Sequence, residues 1–470
     1  MERQKNPHAI MIALPYQGHI TPFINLSIKL ASKNFSITFV HLEFIHHKLS
    51  QNNTKTKDDL FSEARESGLD IRYTTISDGF PLEFDRDLHL DEYWDAMLRD
   101  FPARVDEFVG EVIKSDPNSV HFLVTDTLFT WPATIAKKYD LINVSFWTEP
   151  ALVFSLSYHI HFLKENGHFP CKDNIEEVIN YLPGVESLST MDLMPYLKES
   201  GLSTIVHKIV LKAFDEVKKS DFILHNTLYE FESKTLSALT KIQPNYAIGP
   251  INFSRHITNT VTKSLRSESD CTNWLNSKSP GSVLYISFGS FIQTSKHVIE
   301  EIAYGLLLSD VNFIWIVRED SVNSDDSDVF PDGFRDEINE KGLVITWCDQ
   351  IKILSSPAIG GFLTHCGWNS VLESMWCGVP MICYPLKYDQ PVNRKLVVDD
   401  WKIGVNLCDG KLIDRKEVAE KIGSLMSGVN SEGLRKESKK VQGILQNAME
   451  VGGSFEKNFN QFVEDLKAKL

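Results

Sequence analysis

A short apolar run in the C-terminal half of the chain is followed at once by residues that suit an anion site. Residues 360–364 predict a buried strand, His365 comes directly after it, and Gly367 opens a helix that contains Asn369 and Ser370. A helix that starts at a strand end points unpaired backbone N–H groups and a positive dipole end at whatever lies above the sheet. The pattern therefore predicts a phosphate-binding junction.

Residues on either side of this junction suit the remaining parts of a nucleotide sugar. Glu373, one turn into the helix, can accept from two ribose hydroxyls, and Trp347 ends a strand where a flat ring can stack on a base. Asp389 and Gln390 follow a later strand and suit the vicinal hydroxyls of a sugar, while Ser290 adds a hydroxyl after an earlier strand. The alternatives are a solvated helix face for Glu373, a core position for Trp347 and a helix cap for Asp389.

A second candidate centre lies near the start of the chain. The first strand ends in PYQGH, in which Gly18 permits a tight turn and His19 follows it. Another predicted strand, 120–125, ends at Asp126, which is placed to hold an imidazole N–H from across the sheet. Such a pair fixes the tautomer of a histidine and stabilises the imidazolium that forms when it accepts a proton. The alternative is a packed or capping histidine, but the carboxylate favours a catalytic base.

Parallel sheets are needed to position these residues, and both halves of the chain alternate strands with helices. The N-terminal half predicts strands at 9–14, 36–42, 120–125, 142–146 and, as its last, 221–225, with helices at 20–32 and 131–139 and a loop at about 50–67. The C-terminal half predicts strands at 283–288, 313–317, 343–346 and 360–364, with helices at 297–308, 391–400, 415–427, 433–449 and 454–468. This order predicts two doubly wound α/β domains with a cleft at the carboxyl ends of their sheets.

Length and composition set the domain boundaries and exclude some partners. The chain of 470 residues is too long for one core, so we predict a domain at 1–250, a linker at 251–270, a domain at 271–452 and a last helix at 453–470. A net charge of −15 argues against nucleic acid or an anionic membrane as the main partner.

Compartment is predicted from the cysteines and the apolar runs. Seven scattered cysteines without a C-x-x-C pair suit a reducing compartment. We see no secretory signal and no membrane-spanning run, and we predict a cytoplasmic monomer. The tail Ala468-Lys469-Leu470 resembles a peroxisomal signal, with the frayed end of an amphipathic helix as the alternative.

With these residues assembled, the chain resembles the plant family 1 UDP-sugar glycosyltransferases. The 44 residues from Trp347 to Gln390 match that family's signature box in length, at both ends and in the central HCGWNSVLES. PYQGHITP, VTDTLFTWP, FWT and YISFGS also correspond, so the resemblance covers essentially the whole chain. It implies a GT-B fold, with two Rossmann-like domains facing across a cleft that holds the UDP-sugar. It also implies that the last helix crosses back to the first domain.

The resemblance implies a role for each matched position. Trp347 would stack on uracil beside the backbone of Cys348, and Gln350 and Glu373 would hold the ribose. The diphosphate would contact Ser290, His365, Asn369 and Ser370, and the sugar would contact Thr148, Trp368, Asp389 and Gln390. Trp368 and Gln390 are associated with glucose as the donor sugar. UDP-glucose would be a co-substrate, without a permanently bound cofactor.

The implied reaction is a direct displacement that inverts the anomeric centre. His19, supported by Asp126, would take the proton of an acceptor hydroxyl, and the helix end with His365 would stabilise the departing diphosphate instead of a metal. Two D-x-D strings, at 85–87 and 326–328, lie in polar surroundings and are not expected to bind metal. The alternatives are a sugar-nucleotide epimerase and a catalytically silent UDP-sugar-binding protein.

The acceptor is the least determined part of this prediction. An apolar wall would suit a lipophilic plant metabolite, a terpenoid or a phenolic, but does not choose between them. O-transfer is the family's commonest case, and nothing in the residues fixes it over N-, S- or C-transfer. The candidate wall residues, each of which has a core position as its alternative, are Phe80, Phe84, Trp94, Phe129, Trp147, Phe154 and Met194.

Overall fold

A computed structural model describes most of the chain and divides it into two compact units. The described residues are 6–52, 60–170, 176–199, 204–253, 269–289, 294–317, 329–338, 340–409, 412–428 and 431–470. Unit 1 comprises Met1–Met191, Tyr196–Leu265 and Ala448–Leu470, and unit 2 comprises Asp192–Pro195 and Arg266–Asn447. The end of the chain therefore belongs, by its contacts, to the same unit as its beginning.

Unit 1 is built on a parallel sheet. Its strands are β1 (His8–Ile12), β2 (Ser36–Leu42), β3 (Ile71–Ile76), β4 (His121–Asp126), β5 (Ile142–Trp147), β6 (Val178–Ile179), β7 (Leu188–Ser189), β8 (Phe222–His225) and β9 (Asn245–Ala247). Among the described residues, seven of these strands pair in the order β3-β2-β1-β4-β5-β8-β9, and β6 pairs antiparallel with β7.

The helices of unit 1 cover both faces of this sheet, as parallel strands require. They are α1 (Gln17–Ala31), α2 (Glu43–Asn52), α3 (Ser62–Glu66), α4 (Leu90–Arg99), α5 (Phe101–Ser115), α6 (Pro132–Tyr139), α7 (Ala151–Tyr158), α8 (Ile160–Glu165), α9 (Pro195–Lys198), α10 (Ile205–Val217) and α11 (Tyr229–Thr240). Two 3-10 helices, Thr190–Asp192 and Ile251–Phe253, complete this part of the chain.

Unit 2 also alternates strands with helices, and its parallel sheet is smaller. Its strands are β10 (Val283–Ser287), β11 (Asn312–Ile316), β12 (Gly342–Ile345), β13 (Ile359–Thr364), β14 (Met381–Cys383) and β15 (Gly404–Asn406). In the described part of the chain they form one parallel sheet in the order β12-β11-β10-β13-β14-β15. The helices are α12 (Thr272–Asn276), α13 (Lys296–Ser309), α14 (Phe334–Glu337), α15 (Gln350–Leu354), α16 (Trp368–Cys377), α17 (Gln390–Lys395), α18 (Arg415–Met426) and α19 (Ser431–Met449), with a π-helix at Leu396–Asp400.

The last helix, α20 (Ser454–Lys469), packs in unit 1 through one apolar face. Phe455, Phe459, Phe462 and Leu466 recur every three or four residues and are buried, which is the spacing of one helix face. The ring of Phe462 contacts Phe222 of β8 edge-on, with 5.8 Å between the ring centroids. This packing places the C-terminal tripeptide on a helix end in unit 1, and it does not test a targeting role.

Each large sheet has one switch point, where consecutive strands change direction across the sheet. In unit 1 the switch lies between β1 and β4, with Ile12 opposite Thr125, and in unit 2 between β10 and β13, with Ser287 opposite Thr364. At such a point the connections leave on opposite sides, and the carboxyl ends of the two strands are left open. Both centres predicted from the sequence lie there.

The structure corrects the predicted elements where the sequence pattern is weak. β8 is not the last strand of its half, since β9 follows it, and the predicted loop at 50–67 holds the end of α2 and all of α3. No residue ranges were predicted for β3, β14 and β15. β9, β14 and β15 have only three residues each, which is too short for a clear apolar pattern. Among the described helices, none is both long and apolar enough to cross a membrane.

Candidate active site

The first centre is a hydrogen-bonded histidine and carboxylate at the switch point of unit 1. His19 lies in the first turn of α1, directly after β1, and Asp126 is the last residue of β4. The Nδ1 atom of His19 lies 2.7 Å from Oδ2 of Asp126. The carboxylate is 1% exposed, and its other oxygen accepts from the backbone N–H of Leu128 at 3.0 Å. The pairing predicted from the sequence is therefore present in the fold.

The orientation of His19 leaves one ring nitrogen for chemistry. An Nδ1–H that donates to Asp126 places the lone pair of the neutral ring on Nε2. The His19 side chain is 15% exposed, whereas that of its partner Asp126 is 2% exposed. The arrangement is that of a general base whose imidazolium form is stabilised from behind.

Thr148 contacts the same histidine. The sequence did not predict this contact. It directly follows β5, is 3% exposed, and its Oγ1 atom lies 3.0 Å from Nδ1 of His19. The sequence resemblance gave Thr148 a role in binding the sugar. The structure instead places its hydroxyl on the enclosed edge of the imidazole, where it helps fix the position of the ring.

An aromatic row extends from His19 through five rings of unit 1. Three of the predicted wall residues belong to it, and Tyr16 and Tyr93 complete it. The neighbouring centroid distances are 6.3 Å for His19–Tyr16, 6.1 Å for Tyr16–Trp94, 5.6 Å for Trp94–Tyr93, 5.9 Å for Tyr93–Phe80 and 4.4 Å for Phe80–Phe84. The Trp94 indole N–H also donates to the Tyr16 hydroxyl at 3.2 Å.

Two predicted wall residues are core side chains. Phe154 and Met194 have no exposed surface, and Phe154 packs against Trp147 and Phe214. A wall residue must be accessible to its ligand, and neither Phe154 nor Met194 offers an accessible face in this structure.

The last two predicted wall residues also lie outside the aromatic row. Trp147 is nearly enclosed, and its indole N–H donates to the carbonyl of Pro150 at 2.8 Å. Phe129 packs against Trp131 and Phe101. The seven candidates therefore do not form one continuous wall.

The second centre is the turn at the switch point of unit 2. β13 ends at Thr364, His365 follows, and Gly367 is the N-cap of α16. A Cβ atom on Gly367 would lie 2.5 Å from Nε2 of His365, and so would one on Gly289, which directly follows the residue after β10 and has φ +81°. Because glycine has no side chain, the imidazole of His365 can lie close to both positions. The strand-end glycine alone was too common a signal to identify Gly289 from the sequence.

The first turn of α16 carries the polar groups predicted for the nucleotide. Nε2 of Gln350 donates to Oγ of Ser370 at 2.9 Å and to Oε2 of Glu373 at 2.6 Å. An edge of Glu373 remains accessible, yet burial of the carboxylate raises its pKa to about 7, and the hydrogen bond from Gln350 opposes this shift. Glu373 is thus part of a hydrogen-bond network and not a solvated helix face. Asn369 lies in the same turn and is partly buried.

Gln350 also accepts a hydrogen bond from a tyrosine that the sequence did not predict as part of this network. The buried Tyr285 hydroxyl donates to Oε1 of Gln350 at 3.1 Å and lies 3.5 Å from Sγ of Cys348. Trp347, next to Cys348, is partly exposed, so it is not a fully buried core residue. Its carbonyl accepts from the backbone N–H of Ser269 at 2.9 Å.

The sugar-binding candidates lie at the start of α17 and α16. Oε1 of Gln390 accepts from the backbone N–H groups of Leu386 and Lys387 at 2.8 and 2.9 Å, which orients the amide. Trp368 is buried and packs near Trp401, with 6.2 Å between the ring centroids. Asp389 occupies the N-cap position of α17 but makes no capping hydrogen bond with its side chain. The carboxylate is instead bound by Asn393, through Nδ2 at 2.6 Å.

Some predicted residues fall outside the structural description. Ser290 and the string 326–328 are not among the described residues. In the other D-x-D string, Oδ1 of Asp85 accepts from the backbone N–H groups of Asp87 and Leu88, so it stabilises a local turn. Arg86 between them is buried and pairs with Asp78 at 2.7 Å.

Comparison with known proteins gives this geometry a family. A profile described as UDP-glucoronosyl and UDP-glucosyl transferase matches residues 190–421. The chain is 50% identical to UDP-glycosyltransferase 86A1 of Arabidopsis thaliana over 477 residues, which covers 100% of this chain and 97% of the relative. The chain belongs to the plant family 1 UDP-glycosyltransferases.

Two further relatives agree with this membership. The chain is 32% identical to 7-deoxyloganetin glucosyltransferase of Catharanthus roseus, over 99% of this chain and 97% of that one. Its fold is similar to that of Medicago truncatula UGT71G1 complexed with UDP-glucose, with a TM-score of 0.81 and 23% identity over 98% of both chains. The GT-B class predicted from the sequence is confirmed.

Family membership decides between the classes of function left open by the sequence. A family 1 UDP-glycosyltransferase is an enzyme that glycosylates small metabolites, so the epimerase and the silent binding protein are set aside. The two switch-point centres, the His19–Asp126 pair and the turn at His365, are the candidates for its catalytic and donor-binding residues.

Proposed function

We propose that this glycosyltransferase transfers glucose from UDP-glucose to a hydroxyl group of a small lipophilic plant metabolite, with inversion at the anomeric carbon. The observation that carries the proposal is the 2.7 Å hydrogen bond between His19 and Asp126. It leaves Nε2 of the imidazole as the acceptor for the proton of a hydroxyl nucleophile. The oxygen then attacks the anomeric carbon, the bond to the UDP oxygen breaks, and the α-linked glucose of the donor becomes β-linked in the product.

The donor assignment rests on unit 2. Gln350 and Glu373 bind the two ribose hydroxyls, and Trp347 stacks on the uracil. His365 and the N-terminal turn of α16, with Asn369 and Ser370, bind the diphosphate, where the positive end of the helix dipole stabilises the charge that develops on the leaving group. Glucose as the sugar is supported by Trp368 and by Gln390, whose amide is already oriented by two backbone donors.

The absence of a metal requirement is part of this proposal. Its support is that the helix end supplies positive partial charge, and His365 a hydrogen-bonding imidazole, at the diphosphate. The Asp85–Asp87 string, the described candidate for a metal pair, binds its own backbone. Turnover should therefore persist in EDTA. Loss of turnover that Mn²⁺ restores would contradict this part.

The acceptor is proposed as a planar or polycyclic lipophilic alcohol, a terpenoid or a phenolic. The support is the aromatic row that begins at His19, in which Tyr16, Phe80 and Phe84 are partly exposed, since aromatic faces bind flat apolar ligands. One relative is a 7-deoxyloganetin glucosyltransferase, which is a glucosyltransferase acting on a small metabolite. The experiment is incubation of the protein with UDP-glucose and a panel of terpenoid and phenolic alcohols, with products identified by mass spectrometry.

The His19→Ala variant tests the base. It should lose transfer while retaining UDP affinity, because His19 lies in unit 1 and the nucleotide-binding groups lie in unit 2. The Asp126→Asn variant should lose most of the rate, on the order of 10²- to 10⁴-fold, since it no longer fixes the tautomer or stabilises the cation. Transfer by His19→Ala at a rate near that of the wild type would show that another group is the base.

A further inference from the structure

Asn393 joins two parts of the donor-binding region through one side-chain nitrogen. It lies in α17, three residues beyond the signature box, and is 0% exposed. Its Nδ2 atom donates to the carbonyl of Cys366 at 2.8 Å and to Oδ2 of Asp389 at 2.6 Å. A side-chain amide has two N–H hydrogens, so both are used.

The carbonyl of Cys366 belongs to a strained turn. Cys366 has φ +66°, in the left-handed region that a non-glycine residue rarely adopts, and it separates His365 from the N-cap Gly367. Such a conformation persists when neighbouring groups hold it. Asn393 contributes one of these contacts, at the residue that orients His365 and the start of α16.

The second acceptor is a carboxylate proposed to bind the sugar. The backbone N–H of Asn393 donates to the carbonyl of Asp389 at 3.0 Å, in addition to the side-chain contact. The carboxylate is therefore held in one orientation from within its own helix. Loss of the Nδ2 donor would remove a contact that holds the carboxylate in this orientation.

The acceptor end of the Asn393 amide does not account for its place in the fold. Oδ1 is buried and has no hydrogen-bond partner among the described residues. A buried amide oxygen without a partner costs free energy of folding. The two hydrogen bonds that Nδ2 donates are therefore what an asparagine contributes at this position.

We infer that Asn393 is a positioning residue of the donor site, which couples the sugar-binding carboxylate of Asp389 to the diphosphate-binding turn at Cys366. It does not touch the substrate. This inference rests on the proposed function, since it takes UDP-glucose as the donor. It adds a residue outside the signature box whose loss would weaken both the sugar contacts and the diphosphate contacts.

The test uses the full-length protein with the variants Asn393→Asp and Asn393→Ala. The aspartate has nearly the same shape but places a carboxylate against two acceptors, so it removes the donor without opening a cavity. A matched control is Asn143→Ala in β5, which removes another buried asparagine whose Nδ2 donates to Ser220 at 3.3 Å. Affinities for UDP and for UDP-glucose without acceptor are measured by calorimetry, and thermal stability is measured in parallel.

We expect both Asn393 variants to weaken UDP-glucose binding on the order of tenfold or more. The extra affinity of UDP-glucose over UDP should shrink, because Asp389 loses its orientation. In an Asp389→Ala background the Asn393→Ala change should have a smaller effect, since residues that act through each other are not additive. The Asn143→Ala control should lower stability and leave both affinities unchanged.

The outcomes separate this inference from the function it rests on. If the wild type binds UDP-glucose and Asn393→Asp binds it as tightly, the inference is overturned while the proposed donor stands. Equal effects of Asn393→Ala in the wild-type and Asp389→Ala backgrounds would also overturn the coupling. If the wild type binds UDP but gains nothing from the glucose, the proposed donor is wrong, and the sugar side of the inference fails with it.

Discussion

Gln350 donates a hydrogen bond of 2.6 Å from its Nε2 atom to the Oε2 atom of Glu373, a carboxylate whose burial raises its pKa to about 7. The nearby Asp349 raises the pKa further, and the donor from Gln350 lowers it. In the nucleotide-free enzyme, Glu373 therefore binds a proton at a higher pH than an ordinary carboxylate does. A ribose that donates two hydroxyls would bind the charged form and release that proton.

UDP binding should therefore depend on pH through Glu373. As pH falls below about 7 the carboxylate becomes protonated, accepts hydrogen bonds less well, and the affinity for UDP decreases. Calorimetry at pH 6 in buffers of different ionisation enthalpy should detect proton release on binding, which vanishes at pH 8. The Glu373→Gln variant should bind more weakly and release no proton. Proton release that survives in this variant would assign the effect to another group.

The Thr148 hydroxyl should affect the base more than the sugar. Thr148→Val keeps the shape of the side chain but removes the 3.0 Å contact with Nδ1 of His19. We expect kcat to fall roughly tenfold, with a shifted pH profile of kcat, while Thr148→Ser retains most of the rate. A rise in the KM for UDP-glucose with an unchanged pH profile would instead support the sugar contact implied by the family resemblance.

Gly289 and Gly367 should tolerate no side chain beside His365. An alanine at either position would place Cβ 2.5 Å from Nε2 of that histidine, and at Gly289 the positive φ adds backbone strain of about 1 kcal/mol. Both variants should lose UDP affinity, measured by calorimetry.

The control for these two variants is Gly423→Ala in the interior of α18. No atom lies within 4 Å of the added methyl group, so this change should leave UDP affinity unchanged and stabilise the helix by about 0.5–1 kcal/mol. UDP affinity that is lost equally in Gly423→Ala would show that the effect is not specific to the histidine turn.

Unit 1 should lose stability in mild acid because it buries neutral histidines. Burial lowers the pKa of His8 to about 4, of His41 to about 3 and of His225 to about 4. Below pH 6.5 the unfolded chain binds protons that the folded unit does not, so the free energy of unfolding falls as pH falls. The stabilisation is complete above pH 6.5, and roughly 2–3 kcal/mol per histidine is lost by pH 4.5.

Urea unfolding between pH 7 and pH 4.5 measures this loss. The His225→Gln variant keeps a polar side chain that does not titrate, and it should show a shallower pH dependence than the wild type. Glu373 titrates in the same window, but its raised pKa makes the folded chain bind the extra proton, so its effect on stability opposes that of the histidines. An unchanged slope in His225→Gln would show that this histidine does not account for the acid sensitivity.

The sequence predicted the longer parallel strands well because they are buried on both faces and read as continuous apolar runs. β2 was predicted with its observed bounds, Ser36–Leu42. β3 was missed because its sequence, IRYTTI, mixes polar and apolar residues at a sheet edge. β9 was missed because three residues carry no period, and only its hydrogen bonds to β8 define it as a strand.

The proposed nucleotide site could be predicted from the sequence because its residues are close together along the chain. His365, Gly367 and Ser370 follow one strand and open one helix, so short-range backbone geometry already places them together. Within this site, the structure adds contacts between residues that are far apart along the chain, which the sequence could not predict. Tyr285 reaches Gln350 from 65 residues away, and Asn393 reaches Cys366 from 27 residues away.

What the sequence determined by itself is the family and the residue types of the donor site. The chemistry of a strand-to-helix junction depends on residues that are neighbours along the chain, so the order of the sequence already shows which residues meet there. Tertiary structure decided the partners of the base. His19 and Asp126 are 107 residues apart, and they meet because β1 and β4 pair in parallel with their carboxyl ends together. The same pairing order brought Thr148 to the imidazole and enclosed Phe154 in the core, since strand order fixes which side chains meet and sequence separation does not.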